Sequence, residues 1–429
     1  VAAAPRAARA TAAGCPSPFA YNFHNELSAW ADKVAADYPR FAKRFDVGES
    51  FQKKKILGIH LTNHADGGTD AERPNVKLIG NMHGDEIVGR IVLIQFVCMM
   101  VSEYDTNERV RELLDTVHVF VIPTINPDGF ERGQRASAGG VDLNRNFPDG
   151  FRDQRNSIAG RAPETQAVMQ WSAQRNFVLS LNYHGGAVVA NYPYDQYRRG
   201  ENRTRDGPVD SVSPDDALFK ALARTYADSH TTMANSLHDH CSCCETTPDV
   251  YDVLTGKVRT CCLSSFGGSV CFDRGITNGA HWYEVHGSIQ DWEYVYGRSL
   301  ALTIETDPEK TPLPGDLEKY WLENKPALLE YLRHVHRGVR GKVTNELGHP
   351  VAATVAIADG SAHTGIDVRT WPSTGQYYRV LLEGAYTLRF SAPGHAVVER
   401  AVDAGPLGAP TQLDVVLQRM PTPPPPPAT

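Results

Sequence analysis

At Arg337 the rhythm of the chain changes, and no fold of a single class accommodates both halves. Downstream lie seven short runs rich in β-branched and aromatic residues, at 339–344, 353–358, 365–371, 376–382, 385–391, 396–402 and 412–418. Gly, Pro, Asn and Ser separate them and no 3.6-residue period intervenes, so residues 338–419 are expected to form a small all-β sandwich. Upstream, residues 18–337 alternate between the two periods. Residues 23–38 and the apolar 89–103 read as helices, and 54–62, 76–79, 116–123 and 178–182 read as strands. Ser213-Pro214-Asp215-Asp216 reads as a helix start, with Ser213 as the cap and proline in the first turn. Such alternation predicts an α/β domain whose active site lies where strands run out into loops.

Composition narrows the function classes. A formal net charge of −7 without any polybasic run argues against nucleic acid as a partner. The most apolar stretch, 91–101, is too short to span a bilayer and reads as a buried helix, so no transmembrane segment is expected. Residues 1–17 are Ala-rich and lack an apolar signal core; they read as a disordered remnant of signal removal or a fragment edge. Six of the eight cysteines crowd into 241–271: Cys241, Cys243, Cys244, Cys261, Cys262 and Cys271. Disulfides in an oxidising compartment are one reading; a structural zinc cluster with His238 or His240 is the other. Cys98, inside the apolar helix, is expected to be a buried free thiol. Asn202-Arg203-Thr204 is a glycosylation sequon, and the proline run at 421–427 predicts an extended tail over 420–429.

Three blocks carry chemistry. In Gly80-Asn81-Met82-His83-Gly84-Asp85-Glu86 a strand runs out into a helix, so His83 and Glu86 can converge on one ion. His184 ends a second strand, and two histidines with one carboxylate form a catalytic zinc site with an open fourth position. Arg135 and Asp142-Leu143-Asn144-Arg145 form the second block. A guanidinium fork there suits a carboxylate such as a peptide C-terminus, against the alternative of a structural Arg–Asp pair. The third runs from Gly275 through Tyr283 to Gln290, followed by Ala301-Leu302-Thr303-Ile304-Glu305. Glu305, at the end of an apolar strand, can serve as general base or can be an ordinary strand-end charge.

In this order the blocks resemble the metallocarboxypeptidases of the N/E (regulatory) branch, over roughly residues 18–419. The resemblance implies a zinc carboxypeptidase domain with a mixed central sheet flanked by helices, followed by a transthyretin-like sandwich. It implies one Zn²⁺ held by His83, Glu86 and His184, with Glu305 as general base and Arg135 stabilising the oxyanion. Asn144 and Arg145 then grip the terminal carboxylate, Tyr283 closes over the substrate, and Asp142 orients a zinc-bound histidine. Asp195, in Asn191-Tyr192-Pro193-Tyr194-Asp195, matches the acid that selects C-terminal Lys or Arg, with Gln290 at the base of the same pocket. A simple turn aspartate is the competing reading of Asp195.

The implied activity is exopeptidase cleavage of peptide and protein C-termini, basic ones above all, by a secreted or secretory-lumen enzyme that needs no prosegment removed. Residues 236–273 depart from the branch as a Cys-rich insertion, and Thr306-Asp307 and Tyr183 are unusual neighbours for Glu305 and His184. A non-catalytic extracellular binding or matrix module on the same fold is the rival, and the full set of reactive residues argues against it. A carboxypeptidase for acidic tails is disfavoured by Asp195.

Overall fold

The computed structural model describes residues 19–21, 23–66, 72–152, 155–198, 209–234, 272–358 and 365–420, with four short strands between 250 and 271. The sequon, most of the Cys-rich insertion, residues 1–17 and the proline run lie outside the described residues.

Strands β1 (Ala42–Glu49), β2 (Lys55–Leu61), β3 (Asn75–Gly80), β4 (His118–Ile122), β5 (Phe177–His184) and β6 (Ala187–Tyr192) come first. Two hairpins follow, β7 (Val250–Asp252) with β8 (Lys257–Arg259) and β9 (Cys261–Leu263) with β10 (Ser269–Cys271), then β11 (Ile276–Asn278) and β12 (Leu300–Asp307). Leaving the hairpins aside, eight strands form one sheet in the order β1-β2-β4-β3-β5-β12-β6-β11. Its centre, β4-β3-β5-β12, is parallel, while β1, β2 and β6 run against neighbours, giving the mixed sheet expected. Around it lie α1 (His24–Asp37), α2 (Val88–Ser102), α3 (Glu108–Thr116), α4 (Pro127–Arg132), α5 (Pro163–Ser172), α6 (Asp216–Ser229), α7 (Gly279–Trp282), α8 (Ile289–Trp292) and α9 (Leu317–Arg333).

Side-chain alternation shows why the sheet is covered on both faces. In β4, Val119 and Val121 join the core built with α2, α6 and α9, whereas Phe120 and Ile122 join the core under α5 and α8. β3 repeats this with Val76 and Leu78 on the first face, and Lys77 and Ile79 on the second. Lys77 is fully buried there; its ammonium pairs with Glu293 and donates to Ser172 Oγ at 2.9 Å.

The apolar helix is α2, buried along its length apart from half-buried Gln95 and exposed Ser102 at its end. No helix among the described residues is long and apolar enough to cross a membrane. Cys98 corrects an expectation: it is disulfide-bonded rather than free. A helix made apolar all round hides a thiol and a half-cystine equally well, so periodicity cannot tell them apart.

The start of α6 is a second correction. Ser213 gives only its carbonyl to Asp216 N, 3.1 Å away, and the helix begins at Asp216 with Asp215 before it. The Asp215 carboxylate caps nothing locally. It accepts from Tyr294 Oη (2.9 Å), Ile366 N (2.8 Å) and Arg379 Nη2 (3.1 Å). Three donors distant in sequence outcompete one helix amide.

After Arg337 come β13 (Val339–Asn345), β14 (Thr354–Ile357), β15 (Val368–Arg369), β16 (Gln376–Arg379), β17 (Gly384–Ser391), β18 (Val398–Ala404), β19 (Thr411–Gln412) and β20 (Val415–Leu417). They form two four-stranded sheets, β16-β13-β19 with β20 also on β13, and β15-β14-β17-β18, around a core that includes Val343, Tyr377, Leu388 and Phe390. The run at 412–418 divides because Asp414 Oδ1 accepts Lys342 N at 2.8 Å, interrupting the parallel pairing with β13.

Candidate active site

β3 and β5 are parallel neighbours, and both sequence blocks leave the sheet at their carboxyl ends. The loop after β3 is held by Asn81, whose φ of 51° is tolerated by asparagine better than by most residues. Its Nδ2 donates to the carbonyls of His83 (2.9 Å), Glu86 (3.1 Å) and Gly84 (3.3 Å), while Oδ1 accepts from Thr124 Oγ1 at 2.7 Å. Gly84 lets the loop lie on α4: a Cβ there would meet Gly129 C at 2.1 Å.

This scaffold brings three donors together. Glu86 Oε2 lies 2.9 Å from His83 Nδ1 and 2.8 Å from His184 Nδ1, and the two ring nitrogens are 3.0 Å apart. His83 Nε2 donates to Asp142 Oδ1 at 2.9 Å, which leaves Nδ1 a bare lone pair in the neutral ring. His184 Nε2 is 2.7 Å from the Asn182 amide nitrogen, while Asn182 Oδ1 is buried without a partner. Turning that amide over gives Nε2–H an acceptor and frees His184 Nδ1 in the same way. Two lone pairs and an anionic oxygen then face one another with no proton between them. A cation reconciles them, and zinc, with N and O ligands at about 2.0–2.1 Å, fits this donor set. Among the described residues this is the one such cluster.

The charges agree. Burial alone would raise the Glu86 carboxyl, but His184 and His83 hold it well below the usual carboxylate range. Its second oxygen accepts from Lys310 Nζ (2.9 Å) and Arg135 Nη1 (3.0 Å), and Arg135 Nε donates to Asp142 Oδ2 at 3.1 Å. Glu305 sits on β12 in register with His184 of β5. It is 7% exposed, its Oε2 has no hydrogen-bond partner, and burial together with the Glu86 charge pushes its carboxyl well up.

Asp142 precedes a single 3₁₀ turn, Leu143–Arg145, and accepts Asn144 N at 2.9 Å. Asn144 Oδ1 accepts Ile289 N at 3.0 Å, tying this turn to α8. Tyr283 follows α7. Burial and Glu305 raise its hydroxyl, while Arg145 and Arg135 pull it down and Asp195 pushes it up again. One phenol thus feels groups from the second and third sequence blocks and from the Asp195 segment.

Asp195 is 3% exposed, and its Oδ1 accepts from Gln290 Nε2 (3.0 Å) and Asn191 Nδ2 (3.1 Å). Gly279 makes room for it, since a Cβ there would stand 2.0 Å from Oδ1. Asp195 N in turn donates to both oxygens of Asp291, at 3.0 and 3.1 Å. The sequence reading did not give roles to Asn182, Lys310 or Asp291. Asn182 had a signal: two residues before His184 on a strand, it must share His184's face. Lys310 and Asp291 reach their partners through tertiary contacts that no local spacing reports.

A polar cluster able to hold one cation, at the carboxyl ends of parallel strands in a mixed α/β sheet, fits a mononuclear metal hydrolase. A family model described as zinc carboxypeptidase matches residues 27–327. The chain is 33% identical over 437 residues to the carboxypeptidase N catalytic chain of Mus musculus, covering 94% of this chain and 87% of that one. It is 32% identical to carboxypeptidase D of Anas platyrhynchos over 94% of this chain, but spans only 27% of that protein. Among solved structures, thrombin activatable fibrinolysis inhibitor shares the fold, with a TM-score of 0.54, 15% identity and coverage of 73% and 74%. This chain belongs to the zinc carboxypeptidase family, as a member of its N/E type. It is a zinc-dependent exopeptidase acting on the C-terminal bond of peptides and proteins.

Proposed function

We propose that this enzyme releases single lysine or arginine residues, and that His83, Glu86 and His184 hold its zinc. When bound, the ion supplies a Lewis acid and lowers the pKa of water. Glu305 takes a proton from the attacking water and passes it to the leaving amine. Its unpartnered, buried Oε2, on the strand paired with His184 and within reach of the Glu86 charge, is the observation that carries this assignment. Asp142 and Glu86 fix Nε and Nη1 of Arg135, which aims the rest of the fork at the developing oxyanion. Arg145 and Asn144 hold the terminal carboxylate, and Tyr283 covers the substrate, so only the last bond reaches the water.

The basic preference rests on Asp195: a buried carboxylate fixed by Gln290 and Asn191 favours a cation and rejects apolar side chains. A secreted or secretory-lumen location is supported by the Cys98 disulfide, a bond that is common in oxidising compartments and rare in the cytosol. We place the catalytic domain at 18–337, with 236–273 as its insertion, and a transthyretin-like sandwich at 338–419. Glu305→Gln is the test: kcat on a C-terminal Arg peptide should fall by about 10²–10⁴-fold with KM little changed. Near-native turnover removes Glu305 from the role.

A further inference from the structure

At the starts of β5 and β12, the opposite end of these strands from the ligand cluster, α5, α8 and the β15–β16 end of the sandwich enclose a cleft of about 560 Å³. That volume is in the range of small-molecule sites. Its described lining carries four arginines, Arg175, Arg298, Arg369 and Arg379, but a single acid, Glu293, whose charge Lys77 already answers. Arg298 leans on Asp367 and Arg379 on Asp215, yet Arg369 and Arg298 still repel one another. Arg379 is 1% exposed and its Nε has no hydrogen-bond partner. Trp292 and Trp371 supply flat apolar walls.

The backbone here is unusual as well. Glu293–Gly297 is a π-helical turn, a rare form often found at functional sites, and Arg298 closes it with φ 56° and ψ 36°. Glycine or asparagine normally takes that conformation; here a long cation does. We propose that the cleft binds a small organic anion carrying a flat ring. The ring lies against Trp371 and Trp292, and the anion meets the arginines. Occupancy is felt at the specificity pocket, because α8 presents Gln290 to Asp195 at 3.0 Å and, two residues on, Trp292 to the cleft.

The probe is anilinonaphthalene sulfonate, titrated by fluorescence into the zinc-loaded full chain. One saturable site is expected, weakened at least about tenfold by Arg369→Glu and by Trp371→Ala, both of which keep wild-type turnover without dye. Bound dye should shift KM for a C-terminal Arg peptide with kcat unchanged. Wild-type affinity in both variants, no saturable binding, or complete displacement of the dye at saturating peptide, beyond the limited weakening that a linked KM shift requires, overturns the site. An unmoved KM at saturating dye overturns the link through α8.

Discussion

Replacing Asp195 by asparagine changes the charge of the proposed specificity pocket with almost no change in shape. The carboxylate cannot swing aside, because Gly279 closes to within contact of Oδ1 and the amides of Gln290 and Asn191 hold that oxygen at 3.0 and 3.1 Å. Those two donors dictate how an asparagine must sit. Its carbonyl takes the Oδ1 position, and its NH₂ takes the other, where it meets the N–H groups of an incoming guanidinium. A buried ion pair that loses one partner weakens by about 3–5 kcal/mol. Water entering with the substrate offsets part of this, so the lower figure applies, and kcat/KM for C-terminal Arg should fall about a hundredfold. The assay compares peptides ending in arginine and in citrulline, which has nearly the same outline without the charge. The wild-type Arg/citrulline ratio should collapse towards one in the variant, with zinc content unchanged at one per chain. A ratio that survives the substitution would falsify Asp195 as the source of basic preference.

Dialysis against a chelator should abolish turnover while leaving far-ultraviolet circular dichroism intact, and zinc should restore activity; activity that persists after metal removal refutes the ligand assignment. Lys77→Met leaves Glu293 unanswered in the core and should destabilise by about 3 kcal/mol in urea titrations, while adding Glu293→Gln should recover more than half. Strict additivity of the two would show that the pair is not coupled. Burial, with the Arg340 charge, holds His336 neutral and pulls it down to about 4. Its contribution to stability is therefore present above pH about 6.5 and is lost as pH falls towards 4, by about 1.5–2 kcal/mol between 6.5 and 5. His336→Gln should flatten that part of the stability profile, and an unchanged slope would count against a neutral buried imidazole.

Much of the site was legible because its residues sit where periodicity breaks. β3 ends at Gly80 and β5 at His184, and both endings carry polar residues that an apolar strand would not otherwise tolerate. The edge strand β1, the inner strand β6 and the helices α3 to α5 were not anticipated. β1 alternates only loosely along Ala42–Glu49, and the six residues of β6 and of α4 are too few to establish a period. Ser213 had the right local chemistry for a cap, but its neighbour Asp215 serves Arg379 and Ile366, and helix register followed that tertiary demand. Pairing of Cys98 likewise depends on a residue distant in sequence, which helical spacing cannot announce.

The Asn81 clamp bears on what zinc does for this protein. Three carbonyls of the loop are tied to one side-chain amide that is itself anchored to Thr124, so the loop's shape is set by the chain's own hydrogen bonds. An ion arriving there has little disorder to remove, unlike one that must fold a finger around itself. Its binding free energy stays available as affinity. The empty enzyme should therefore be a durable species that recharges with metal rather than one that unravels.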